Sequence, residues 1–141
     1  MSKNWGLAFE LHPHLAADTF LVGNLPLCRV LLMNESRYPW LILVPQRHGI
    51  REIYQLSPAE RTQLWEESDL VSRQLMHLFK ADKLNIAALG NMVPQLHLHH
   101  IARFKTDEAW PAPVWGKFKP DAYTAAAAEA LLLQLRQALK I

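Results

Sequence analysis

The chain is 141 residues long and half apolar, with 15 Lys and Arg against 13 Asp and Glu for a formal charge of +2. That length accommodates one domain with a substantial core, and the apolar fraction excludes a wholly disordered chain. So small a charge does not argue for nucleic acid as a partner, and the lone Cys28 excludes an intrachain disulfide scaffold.

The opening run, MSKNWGLAFELHP, has no long apolar stretch and no small-residue cleavage site, so no signal peptide is expected. Nor does any later stretch reach eighteen apolar residues, so no membrane partner is expected either. The reading is a cytoplasmic single domain, residues 1–141. Leu7 to Leu11 and Thr19 to Val22 read as short strands, separated by the bend His12-Pro13-His14. Cys28 to Met33 (CRVLLM) and Trp40 to Val44 (WLILV) are stronger strands joined by a polar turn at 34–39, and Pro45 ends the second.

Ser57-Pro58-Ala59-Glu60 is a capping box with proline at the first helical position. Beyond it Leu64, Val71, Leu75, Leu78 and Phe79 keep one face apolar to about Lys80, predicting a helix about 35 Å long. Leu84 to Leu89 reads as a strand, Gly90-Asn91 as a turn, and Gln95 to Ala102 (QLHLHHIA) as a strand of period two. Phe104 to Pro120, with Trp110 and Trp115, reads as an ordered loop, and Asp121 to Leu139 as an alanine- and leucine-rich helix. The fold class is therefore α+β, an antiparallel sheet of about five strands with one long helix between strands and one at the C-terminus.

The chain has seven histidines, five of them packed at 12–14 and 97–100. Alternation along the second cluster puts Gln95, His97, His99 and Ile101 on one face, and Leu96, Leu98, His100 and Ala102 on the other. Imidazoles about 6.6 Å apart on one face can address a single phosphoryl group, one attacking phosphorus while the next donates to an oxygen. His100, among leucines, reads as a structural histidine.

The run from Gly90 to Arg103, GNMVPQLHLHHIAR, resembles the signature of the histidine triad (HIT) family of nucleotide hydrolases and transferases. The resemblance extends over about residues 20–104, with 105–141 as a C-terminal loop and helix. It implies a domain, often dimeric, that holds a nucleoside phosphate without a metal or other cofactor. Its catalytic histidine attacks the α-phosphorus of a dinucleoside polyphosphate or a nucleoside phosphoramidate and forms a nucleotidyl-histidine intermediate. Counted from Arg103, His97 takes the nucleophile's place and His99 that of the last triad histidine. Asn91 falls near the phosphate and Asn34 resembles a ribose-binding residue, while Arg103, just beyond the motif strand, either approaches the ligand or pairs with an acid. On the same count the first triad position falls on Gln95, a family histidine on Trp40, and a family hydroxyl on Met92. The chain then reads as a divergent member, whose phosphate binding outlasts fast turnover.

Outside the motif the blander readings prevail. His12 and His14 belong to a surface turn, His48 and Arg47 to a solvated loop, Trp40 to core packing, and Cys28 to an inert buried thiol. Trp110 and Trp115 either close over the site or bury a partner subunit. Two other classes compete with a hydrolase: a nucleotide-binding or interaction module with little turnover, and a metal protein using His97, His99 and other imidazoles.

Overall fold

A computed structural model describes residues 8–141. Five strands form one antiparallel sheet in the order β1-β2-β3-β5-β4. They are β1 (Thr19–Asn24), β2 (Cys28–Met33), β3 (Trp40–Pro45), β4 (Lys83–Ala87) and β5 (Leu98–Arg103). The helices are α1 (Pro13–Asp18), the 22-residue α2 (Pro58–Phe79) and α3 (Ala125–Leu139). The expected α+β class is the observed one.

The central strands explain why WLILV carries no polar alternation. Every residue of β3 is buried, because both faces of the sheet are covered. On one face Val30, Leu32, Leu41, Leu43 and Leu98 pack with Leu64, Val71 and Leu75 of α2 and Leu135 of α3. On the other, Leu31, Trp40, Ile42 and Ile101 pack with Leu15 of α1, Val93, and Ala109 and Val114 of the late loop. The capping box is present as predicted, with Ser57 and Glu60 each bonded to the other's backbone N–H, and Lys80 closes α2 in the left-handed region.

Two buried polar side chains of α2 stand at the third and fourth positions after Leu64. Glu67 accepts from Leu27 N–H and Cys28 N–H, both at 2.8 Å, and so pins the start of β2. Burial, with the Glu67 carboxylate next to it, raises the Cys28 thiol pKa far above its usual range. Ser68 reaches His100, described below. At the sheet's outer edge Arg136 of α3 donates to Leu21 O and Val22 O, where the β1–β2 register shifts at a bulge.

Four sequence expectations are corrected. Residues 8–12 form no strand, and Leu7 lies outside the described residues. The Gln95 carboxamide takes the place of a neighbouring strand there, accepting from His12 N–H (2.9 Å) and donating to Glu10 O (2.8 Å). The bend at 12–14 is the start of α1, with His12 Nδ1 accepting from His14 N–H at 3.1 Å and Pro13 at the first helical position. β5 begins at Leu98 rather than Gln95, since Pro94 has no N–H to pair and Leu96 N–H is spent on Ile50 O. Finally, α3 begins at Ala125, because the backbone at 121–123 bonds to the β2–β3 turn instead. Asp121 N–H donates to Glu35 and Tyr123 N–H to Asn34.

Candidate active site

The alternation expected of the histidine strand survives its later start. Leu96 and Leu98 enter the helix-covered core while Ile101 faces the other way. His97 and His99 share the Ile101 side with ring centroids 5.0 Å apart, and each is only 7 % exposed. His100 points back at α2 and is fully buried.

Each imidazole has a partner that decides which nitrogen holds the proton. His97 Nδ1 lies 2.7 Å from the Gln95 main-chain oxygen. A carbonyl only accepts, so that nitrogen carries the hydrogen and the Nε2 lone pair is left free. His99 Nδ1 lies 3.0 Å from Trp40 Nε1. An indole only donates, so here Nδ1 is bare and the neutral ring carries its hydrogen on Nε2. Two adjacent rings are thus held in opposite tautomers, one offering a lone pair and the other an N–H.

Burial, reinforced by the neighbouring His97 and His100, lowers the His99 pKa to about 3, so the donor ring is neutral at pH 7. His100 is also neutral, since burial holds it at about 4 despite its bond to Leu98 O. Its Nδ1–H donates to that carbonyl at 3.1 Å, and Nε2 accepts from the Ser68 hydroxyl at 2.7 Å. A buried polar pair therefore ties the back of the histidine strand to α2.

The two site-facing imidazoles open into a cleft of about 290 Å³, lined also by Met33, Trp40, Trp115 and segment 89–93. Trp115 stands 5.3 Å from the His99 ring and 6.0 Å from that of Trp40, both edge-on, so the late loop forms one wall. Trp110 goes elsewhere and lies under the Arg103 guanidinium at 5.7 Å.

The other sequence-derived residues divide. Asn91 lies on the cleft's rim. Asn34 follows Met33 and faces the opposite way, its Oδ1 accepting from Tyr123 N–H at 2.9 Å, while Met33 occupies the cleft. Arg103 is 2 % exposed and turned inward. It donates to both Asp107 carboxylate oxygens (2.8 and 3.1 Å), to Asn85 Oδ1 and to Ala112 O. Neither of these two side chains lines the cleft. Trp40 is the residue whose role the sequence concealed, because an apolar run explains a tryptophan without needing its N–H. Among the described residues no three His, Cys, Asp or Glu side chains converge as a metal site, so the metal alternative has no support. No helix among them is long and apolar enough to cross a membrane.

Fold and cleft together define a small α+β domain with an adjacent histidine pair whose Nδ1 atoms face a carbonyl and an indole N–H. The HIT domain family model matches residues 14–106, and the chain belongs to that family. A crystal structure of a histidine triad protein from Marinobacter aquaeolei VT8 is 52 % identical, with a TM-score of 0.92 over 94 % of this chain and 97 % of that one. A histidine triad protein from Bradyrhizobium japonicum is 48 % identical, with a TM-score of 0.91 over 94 % and 98 %. One from Sinorhizobium meliloti 1021 is 42 % identical, with a TM-score of 0.90 over 92 % and 96 %. No curated protein gives a significant match. These relatives overturn the expectation of a divergent member. They are histidine triad proteins at high identity, and His97, His99 and His100 are all in place here. Gln95 is thus not a substituted triad position, and its side chain is spent on the backbone of residues 10 and 12.

Proposed function

We propose that the chain is a nucleotide-binding hydrolase that cleaves nucleoside phosphate conjugates at the α-phosphorus through a nucleotidyl-His97 intermediate. The observation that carries this reading is the pair of opposite tautomers 5.0 Å apart at the mouth of one cleft. His97 Nε2, with its lone pair free, attacks phosphorus. His99 Nε2–H donates to a non-bridging oxygen, whose charge grows in the transition state. The Asn91 carboxamide supplies a second donor from the rim. Trp40, Trp115 and Met33 offer an apolar wall to the nucleoside. Gln95 acts through its main-chain oxygen, which holds the hydrogen on Nδ1 and so makes Nε2 the attacking nitrogen. Asn34 and Arg103 act indirectly, by holding the chain at 121–123 and at 107–112.

The test is intact-mass spectrometry of wild type and His97→Ala after brief incubation with acetyl adenylate, diadenosine triphosphate or adenosine 5′-phosphoramidate. A nucleotidyl adduct in wild type that is absent from the variant is the expected result. Equal turnover by the two proteins would remove His97 as nucleophile. Nucleotide binding with neither adduct nor product would make the protein a binding module.

A further inference from the structure

Next to the histidine cleft lies a second chamber of about 160 Å³, and Met33, Trp40 and Trp115 are walls of both. The turn between β2 and β3 contributes Glu35, Arg37 and Tyr38 to its lining, and the late loop contributes Phe118. The space is worth about five waters, too little for a whole nucleotide and enough for one planar ring system. Four of the lining side chains are aromatic.

Three polar atoms on these residues are shielded from solvent and have no hydrogen-bond partner among the described residues. They are Arg37 Nη1, Tyr38 Oη and Trp115 Nε1. Each can donate, the hydroxyl by rotating its hydrogen, and a folded chain normally pairs such groups because desolvating them unpaired is costly. Tyr38 is only 2 % exposed. The Arg37 Nη1 atom stands 3.8 Å from Glu35 Oε2, too far for a hydrogen bond. Its charge is nonetheless already matched. The guanidinium faces the carboxylates of Glu35 and, at 3.2 Å, Glu108, and lies over the Phe118 ring at 5.0 Å. An incoming phosphate or carboxylate would meet both acidic groups, so the three donors suit a neutral acceptor better.

We infer that this chamber reads the base of a bound nucleotide and selects 6-oxopurines, guanine or hypoxanthine, over adenine. The inference rests on the reading of the adjoining cleft as a nucleotide site. A 6-oxopurine is neutral and planar, and stacks readily against aromatic side chains. Its O6 has two lone pairs and its N7 one, so a single edge presents three acceptor positions to three donors. Adenine keeps N7 but carries an amino group in place of O6, which sets N–H against N–H. Arginine across O6 and N7 is the commonest specific contact to guanine, and Arg37 is the residue of that type in the lining.

The experiment is calorimetric titration of wild type and Tyr38→Phe with GMP, IMP and AMP at pH 7.5. Wild type is expected to bind GMP and IMP at least about tenfold more tightly than AMP, within the range of one bidentate contact to a base edge. Equal affinities, or tighter binding of AMP, would overturn the inference. The Tyr38 hydroxyl has no partner to lose in the free protein, so Tyr38→Phe should melt no lower than wild type. Its preference for GMP over AMP should nevertheless fall about three- to tenfold, the worth of one hydrogen bond. A merely structural tyrosine would leave that ratio alone, and an unchanged ratio defeats the three-donor reading. A His97 adduct formed from guanosine and adenosine conjugates alike, with equal affinities, keeps the proposed function and removes this inference. A 6-oxopurine preference without any adduct does the reverse, and binding of none of the three nucleotides defeats both.

Discussion

Acidification should destabilise this protein in a window set by two histidines. His99 and His100 titrate near 6.5 in an unfolded chain, but burial lowers them to about 3 and about 4 in the folded one. The unfolded state therefore binds more protons below pH 6.5, and stability falls as pH drops from there toward the folded values. At pH 5 the loss is governed by the unfolded pKa, since both folded groups are still neutral. It amounts to about 2 kcal/mol for each residue relative to pH 8, or about 4 kcal/mol together. Solvent screening scarcely reduces this, because the two rings are 7 % and 0 % exposed. For a domain with a total stability of about 5–15 kcal/mol that is a large fraction. Asp107 and Glu60 have lowered pKa values and act only at more acid pH, so they do not contribute above pH 5. Guanidinium unfolding at pH 8, 6.5 and 5, followed by circular dichroism, measures the loss directly. The double variant Ser68→Ala, His100→Leu removes one titration and should roughly halve it. A wild-type midpoint unmoved between pH 8 and pH 5, or a double variant that loses as much as wild type, would refute the reasoning.

Arg103→Met strands the Asp107 carboxylate, and the cost expected for breaking such a buried pair is about 3–5 kcal/mol, read as a lowered Tm. Glu67→Ala leaves two buried backbone N–H groups at the head of β2 without an acceptor, so a loss of about 2–4 kcal/mol is expected in denaturant titration. Asn34→Ala should cost about 1 kcal/mol through Tyr123 N–H while leaving AMP affinity by calorimetry unchanged. A tenfold weaker Kd would restore its ribose-binding role.

Much of the fold was legible because local chemistry and global packing agree. The capping box at Ser57, the strands CRVLLM and WLILV, and the 3.6-residue period after Leu64 each need no tertiary information. Two of the failures share a cause, which is backbone satisfied by distant side chains. Residues 8–12 look like a strand, yet their partner is the Gln95 carboxamide some 83 positions away. Asp121 to Tyr123 look helical, but Glu35 and Asn34 claim their N–H groups. In the site, period-two alternation placed His97 and His99 together correctly. It could not reveal the tautomers, which depend on a main-chain oxygen and on an indole from another strand. Glu67 and Ser68 were detectable, since polar residues at the third and fourth positions after Leu64 interrupt an otherwise apolar face.

The bond from His97 to residue 95 ends on an atom that every amino acid possesses. Side-chain replacement at that position cannot delete the oxygen that orients the His97 ring. It can only release the segment around His12 and let the loop drift. The His97 ring is thereby insulated from most of the substitutions its neighbour could undergo. At residue 95, alanine scanning would report on the mooring of residues 10 and 12 and miss the contact to His97. Replacing the peptide linkage itself, for instance by an ester between residues 95 and 96 that weakens the carbonyl as an acceptor, is the change that would reach it.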